Sequence, residues 1–295
     1  MVNDERVVAE LISHPNPSVR VLARTKLAAG SFDDASVRED RALVSNYAPV
    51  RDILEAQYPE GYWMHSGFGV SPRYRATVWQ LLFLAQLGLG PVPEARRALG
   101  VVLRDNVDEE GAARLHKGED GRSLALTSAL LWSAASLDLA DEVSRARFRD
   151  AWSWVNRQVL GRAIAGPEAI WLARAIAAWR CKGLVFPDVA PVRAALKATL
   201  SEDRTAPLCN ALTFPLTLQP DALGWMEAWV ALGQPTRIPS RAFTWLMSRR
   251  LPSGNWPAEH VPGPLWCDVG RAGESNPWVT IRALVVVRAC KVTSA

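Results

Sequence analysis

Two stretches near opposite ends of the chain carry the same succession of signals, and this repetition limits the fold more than any other feature. From Trp245 the sequence reads W-L-M-S-R-R-L-P-S-G-N-W-P: the end of an apolar helix, a turn on Ser253 and Gly254, and Trp256 just beyond it. After a polar loop, N-P-W-V-T-I-R-A-L-V-V-V-R-A-C opens a new helix, with Asn276 the expected N-cap and Pro277 at the first helical position. Near the other end, I-L-E-A-Q-Y-P-E-G-Y-W is followed by S-P-R-Y-R-A-T-V-W-Q-L-L-F-L-A-Q-L-G. Helix, Gly-x-Trp turn, loop, and a helix entered through Thr occur in the same order in both.

Between them the apolar spacing is helical throughout. It predicts helices over Tyr47–Gln57, Thr77–Leu87, Glu94–Leu103, Ser123–Ala135, Glu142–Val159, Ala169–Trp179, Val192–Leu200, Asp221–Leu232, Arg241–Arg250 and Val279–Ala289. No segment alternates with the period of a strand, so the fold class is all-α. Thr77, Thr127, Trp171, Leu223 and Thr280 mark the second helix of each pair, at intervals of about 50, 44, 52 and 57 residues. Two helices per period of that size indicate a helical repeat array. The stretches 105–113 and 154–162 read as copies that have lost the Gly-x-Trp turn.

Residues 3–29 add two short helices around P-N-P, with Asn16 as N-cap, Pro17 at the first helical position and Gly30 as the stop. This segment resembles a single HEAT-type helix pair, which cannot close a core alone and is expected to cover one end of the repeat array. The expected organisation is residues 1–44 as N-terminal helices packed on a repeat domain of residues 45–295.

The charge balance excludes some partners. A net charge of +4 comes almost wholly from dispersed Arg, with Lys only at Lys26, Lys117, Lys182, Lys197 and Lys291. No run of Lys and Arg marks a nucleic-acid-binding tail, so no nucleic-acid partner is expected. Cys181, Cys209, Cys267 and Cys290 are far apart and form no C-x-x-C pair. With an acidic start and no apolar run of about 18 residues, the sequence reads as a reduced, cytoplasmic chain without a membrane span. Trp is over-used, at 13 against 7 Phe and 4 Tyr. Broad rigid rings serve either as packing at helix junctions or as the wall of an aromatic cavity.

Q-x-P-E-G-x-W, L-x-S-G-N-W and the Thr-entered apolar helices resemble the repeats of squalene–hopene cyclases and protein prenyltransferase β-subunits. The resemblance runs from about Ser45 to Cys290 and is closest to short, stand-alone bacterial proteins of unassigned activity. It rests most on F-P-L-T-L-Q-P-D-A-L (Phe214–Leu223) and S-N-P-W-V-T-I-R-A-L (Ser275–Leu284). It implies an α/α toroid, a ring of helical hairpins around a central funnel, here with the HEAT-like pair at its N-terminal side.

The motifs that carry chemistry in those families are missing. There is no D-x-D-D acid and no D-D-x-x-D run; Asp33–Asp34 lies in a linker, and Glu202-Asp203 is followed by its own Arg204. Cys267-Asp268 with His260 does not match the prenyltransferase zinc set, so neither metal nor cofactor is expected.

Chemistry is then expected where inner helices begin, because free N–H groups and the helix dipole favour anions there. Arg73, Tyr74 and Arg75 precede the first inner helix. His116, Lys117, Glu119 and Asp120 precede the second. Asp221 opens the fourth, and Trp266, Asp268 and Glu274 precede the fifth, which carries Arg282. Asp221 is the expected general acid, with His116 and Tyr74 as further catalytic candidates and His65 as another loop imidazole. Arg73, Arg75 and Arg282 are expected to meet an anionic group. Trp79, Trp132, Trp171, Trp225, Trp266 and Trp278 are expected to wall the funnel, while Trp63 and Trp256 pack the turns.

Three functions are compatible with this pattern. One is a cyclase, isomerase or lyase acting on an apolar, isoprenoid-like molecule by general-acid chemistry. The second is a non-catalytic binder of such a ligand or of a peptide, and the third is an interaction scaffold for a protein partner. A sugar-acting toroid lacks a suitable carboxylate set in this sequence.

Overall fold

The computed structural model describes residues 4–28, 30, 31, 33–67, 69–117, 121–140, 142–180, 189–201, 211–233 and 238–292. Glu119, Asp120, Cys181, Lys182, Glu202, Asp203, Arg204 and Cys209 lie outside the described residues. Among the described residues the secondary structure is helical, with no strand and only isolated bridges.

The helices are α1 Asp4–Ile12, α2 Pro17–Leu27, α3 Ala35–Leu43, α4 Val50–Glu55, α5 Thr77–Gln86, α6 Pro93–Asp105 and α7 Leu124–Ser136. They continue with α8 Glu142–Gly161, α9 Gly166–Arg180, α10 Ala190–Ser201, α11 Ala222–Ala231, α12 Ser240–Ser248 and α13 Pro277–Val292. The expected spans match this order. Tyr47–Gln57 is the one that shrinks, because Pro49 interrupts it and leaves a 3-10 turn at Val44–Asn46 before α4. No described helix is long and apolar enough to cross a membrane.

The repeat has a hydrogen-bonded basis. Three four-residue turns, Tyr58–Gly61, Asp108–Gly111 and Leu251–Gly254, end on glycines with φ of 95°, 89° and 96°, a region costly for any side chain. Each glycine N–H donates to the first carbonyl of its turn, at 2.9, 3.1 and 2.8 Å. Pro59 and Pro252 pre-set the second turn position in two of them. Two residues past each glycine, the backbone N–H of Trp63, Ala113 and Trp256 donates to the hydroxyl of Thr77, Thr127 and Thr280, at 3.1, 2.9 and 2.9 Å. Trp63 and Trp256 also donate Nε1–H to the carbonyls of Ile53 and Leu246, each at 2.8 Å.

The stretch 105–113 therefore corrects the expectation of a lost turn. The turn and the threonine staple persist, and only the indole is replaced, by Ala113. The stretch 154–162 is plain helix as far as Gly161.

These staples are buried, so a missing acceptor cannot be replaced by water. Thr280→Val keeps the shape of the side chain but leaves the Trp256 N–H unpaired. The expected loss is about 1–3 kcal/mol by urea unfolding, with Thr280→Ser close to wild type. A valine variant as stable as the parent would show that the staple carries no stability.

The second helix of each pair packs on the next, α5 on α7, α7 on α9, α9 on α11, and α11 on α13. Beside them, α4 and α6 flank α5, α8 flanks α7, and α10 flanks α9 and α11. The N-terminal helices α1 and α2 pack against α13, and their Val7, Val19 and Val21 belong to the same buried cluster as Val279 and Leu284. The core is thus continuous across the boundary expected at residue 44.

One hydroxyl links three elements here. Ser18 Oγ donates to the Leu87 carbonyl at 2.5 Å and accepts Trp278 Nε1–H at 3.0 Å, joining the starts of α2 and α13 to the end of α5. Around it, Arg250 pairs with Asp4 at 2.6 Å, Arg6 donates to the Ser253 carbonyl at 3.0 Å, and Arg288 reaches Glu5 and the Leu27 carbonyl. On α3, Asp40 is held by Arg20 and Arg24, and Arg41 donates to the Ser136 carbonyl at 3.2 Å, an acceptor that the end of α7 leaves free.

Candidate functional site

Three adjacent second helices each carry a charged side chain in an otherwise apolar stretch, and the three converge. Arg282 of α13 donates Nε–H to Glu227 Oε2 at 2.8 Å, Nη2–H to Asp221 Oδ1 at 3.0 Å and Nη1–H to the Thr213 carbonyl at 2.9 Å. Arg174 of α9 donates to the same Glu227 Oε2 at 3.0 Å. The result is a row of alternating charge, Arg174, Glu227, Arg282, Asp221, whose side chains are only 11%, 13%, 8% and 3% exposed. Partners of opposite sign make such burial tolerable.

Burial by itself would raise the Glu227 carboxyl; Arg282 and then Arg174 outweigh it and hold the group below the usual carboxylate range. Burial likewise opposes the Arg282 charge, but Asp221 and Glu227 more than compensate and raise it. For Arg174 burial dominates and its affinity for the proton falls, with Glu227 offsetting only part. Its guanidinium lies 4.9 Å from the Trp132 ring centre and 5.3 Å from that of Trp171, and its buried Nε–H has no acceptor.

Asp221 is the proton donor expected from the sequence, and the geometry corrects that role. Its Oδ1 caps α11 by accepting Gly224 N–H at 2.7 Å besides the Arg282 contact, and its Oδ2 accepts Thr213 N–H at 2.8 Å. Every partner is a donor, so the carboxyl acts as an acceptor that fixes Arg282. Arg282 does stand in the same site, although its partners are carboxylates of the chain itself.

The expected tryptophan wall is corrected too. Trp225 donates Nε1–H to the Leu196 carbonyl of α10 and stacks on Trp229, which places it between layers of helix. Trp79 bonds the Val70 carbonyl, and Trp278 stacks on Phe214 at 5.2 Å while bonding Ser18. Trp132 and Trp171, 5.7 Å apart, are the two of the set that border the charged row, and Trp171 is anchored by the Thr217 carbonyl.

The residues before α5 form a separate cluster. Arg75 stacks on Trp266 at 3.8 Å and its carbonyl accepts Trp266 Nε1–H at 2.9 Å, sealing the 258–274 loop onto α5. Arg73 lies over Tyr74, whose ring meets Trp79 edge-on and whose backbone has φ of 66°. Arg73, Arg75, Tyr74 and Trp266 thus hold a loop rather than join the buried row. His116 and His65 are exposed on their loops, as are Asp268 and Glu274. Burial, with Asp52 and Asp268, pushes the Cys267 thiol up to about 12, so it stays protonated at neutral pH.

Sequence reasoning misses Glu227, Arg174 and Lys26. The first two have a readable signal, a lone charge in A-L-G-W-M-E-A-W-V and in A-I-W-L-A-R-A-I-A-A-W, where a helix with no polar face must bury it. Lys26, in the last turn of α2, reads as an ordinary surface lysine. Its side chain is exposed, and its ammonium's pKa is lowered, chiefly by desolvation, with Glu227 opposing the shift and Arg174 and Arg282 adding to it. In the middle of α9 and α11 the partly accessible residues are Arg174, Ala177, Ala178, Glu227 and Val230, and Val285 matches them on α13.

Neither a scan against protein-family models nor a search of curated proteins finds a match to this chain.

Proposed function

We propose that the helical pairs form an α/α toroid of the squalene-cyclase and prenyltransferase-like kind and that its interior holds an apolar, isoprenoid-sized small molecule. The observation that carries this reading is the set of partly accessible residues on α9, α11 and α13. It combines Ala177, Ala178, Val230 and Val285 with one buried polar row and the Trp132–Trp171 pair, the composition of a small-molecule site. The succession of second helices from α5 to α13, with α2 against the last, supports the ring. Its first and last members are offset, since Leu87 ends α5 where Trp278 begins α13.

Binding is favoured over general-acid catalysis, because the row contains no proton donor other than guanidinium. A second reading has one observation behind it. Both guanidiniums fall on Glu227 Oε2, so Oε1 of an ionised carboxylate is available as a base, which suits an isomerase or a lyase.

Native mass spectrometry of protein purified without detergent, followed by organic extraction, is expected to recover a bound apolar molecule. Repeated recovery of empty protein that also fails to bind long-chain alcohols or acids would remove the reading. If Glu227→Gln retains the ligand but no longer converts it, the enzyme reading gains.

A further inference from the structure

The stretch before α11 is irregular and yet buried. Leu212, Phe214, Leu216 and Thr217 have almost no accessible surface, although 212–218 holds neither helix nor strand. Interior backbone outside regular structure must find partners for its own N–H and C=O groups. Here side chains of the second helices supply them. Gln86, the last residue of α5, pairs with Leu216 as a neighbouring strand would. Its Oε1 accepts Leu216 N–H at 2.6 Å and its Nε2–H donates to the Leu216 carbonyl at 2.9 Å. Trp171 of α9 donates to the Thr217 carbonyl at 3.2 Å, and Arg282 of α13 to the Thr213 carbonyl at 2.9 Å. Asp221, at the start of α11, accepts Thr213 N–H at 2.8 Å, and Phe214 stacks on Trp278 of α13. One short stretch thus bonds to α5, α9, α13 and the cap of α11, so it lies between these helices.

Its two parts are held differently. The base is bonded through backbone to the 258–274 loop: Glu259 and His260 N–H donate to the Leu212 carbonyl at 2.8 and 3.0 Å, and Phe214 N–H donates to the His260 carbonyl at 3.2 Å. Beyond Phe214, no backbone–backbone bond ties the tip to another element among the described residues. The Gln86 amide and the Trp171 indole are its hydrogen bonds to the helices. A tip tied by two side chains can leave without unwinding any helix. We propose that residues 215–218 form a strap, latched by Gln86, that closes the interior between the second helices and swings out to admit the apolar molecule. The proposal rests on the ligand-binding reading above and adds how that interior is reached. An apolar ligand in the place of Leu216 replaces its buried surface, so the exchange costs chiefly the latch bonds. The opening leads to the charged row, because the same stretch bonds Arg282 and Trp171.

The test is hydrogen exchange of the full chain by mass spectrometry, with and without decanol, whose binding is followed by intrinsic tryptophan fluorescence. In wild type at low urea, the strap peptide is expected to exchange through a local opening that depends less on urea than exchange of α9 and α11. Gln86→Met keeps the length of the side chain and removes both latch bonds. It is expected to speed exchange of the strap peptide about tenfold or more and to leave α9 and α11 at wild-type rates. Saturating decanol is expected to deprotect the same peptide in wild type. If the strap peptide exchanges only together with α9 and α11, the stretch is ordinary core and the strap is overturned, whether or not decanol binds. The wild-type measurement decides this even if Gln86→Met does not fold. Decanol that binds without deprotecting the strap overturns it as the entrance and leaves the apolar-ligand reading standing. A strap that opens locally in a protein that binds no decanol removes that reading, and with it the admission of a ligand.

Discussion

Arg282→Met is expected to lower the unfolding free energy by about 3–5 kcal/mol, the largest effect of any single charge change in this protein. The guanidinium supplies three donors to Glu227, Asp221 and the Thr213 carbonyl, from a side chain that is 8% exposed. Removing it leaves Asp221 with no cationic partner and Glu227 with Arg174 alone, in an interior where water cannot reach them fully. Arg282→Lys is expected to recover only part, because one ammonium cannot span three acceptors set for a planar fork. The double variant Arg282→Met with Glu227→Gln is expected to be less destabilised than the sum of its single changes, as it removes one of the stranded charges. Urea unfolding with an unchanged slope is the measurement; a loss below about 1 kcal/mol would mean that the row is not a structural element.

The same network sets the sign of the acid dependence. The folded carboxyl of Glu227 lies below its unfolded value, so its contribution is fully present above about pH 4.3 and is lost as pH falls through the folded pKa. In Arg282→Met the dominant remaining influence on Glu227 is burial, which favours protonation. The stability gap between wild type and variant should therefore narrow below about pH 4.

Trp256→Ala is the second large effect, at about 3–5 kcal/mol. The indole is fully buried, its Nε1–H supplies the Leu246 carbonyl at the end of α12, and Arg250 lies 4.7 Å over its face. Truncation opens a cavity and removes one of the two donors to that carbonyl, the other being the Arg249 N–H at 3.2 Å. Trp63→Ala should cost a similar amount, since Trp63 makes the equivalent bonds to Ile53 and Thr77. Trp256→Phe fills most of the space but not the hydrogen bond, and is expected to fall between alanine and wild type. If Trp63→Ala and Trp256→Ala differ widely in urea, the two turns are not equivalent joints.

How much of this is legible in the sequence depends on the range of the interactions. The joints are readable because their parts lie close in the chain: Gly61 and Gly254 for the positive φ, the following Trp, and Thr77 or Thr280 at the next helix. The middle copy escapes such a reading because an indole is conspicuous and a threonine staple is not. Ala113 hides a turn that Gly111 and Thr127 still build. Asp221 and Arg282 both stand out as groups near helix starts, and they do meet. That they are partners, and not two separate functional groups, cannot be read from positions so far apart in the chain.

The sequence by itself determined the all-helical class, the order and ends of the helices, and the repeating joints, because apolar period, caps and turn residues act over a few residues. Only the tertiary structure decided which tryptophans pack between helices, and that Arg174, Glu227, Arg282 and Asp221 form one row. The physical reason is that a lone charge on an apolar helix shows that it must be satisfied, while the partner that satisfies it is chosen by how distant helices pack. The Gly-x-Trp turn set the spacing of those helices, and their packing brought the charges together.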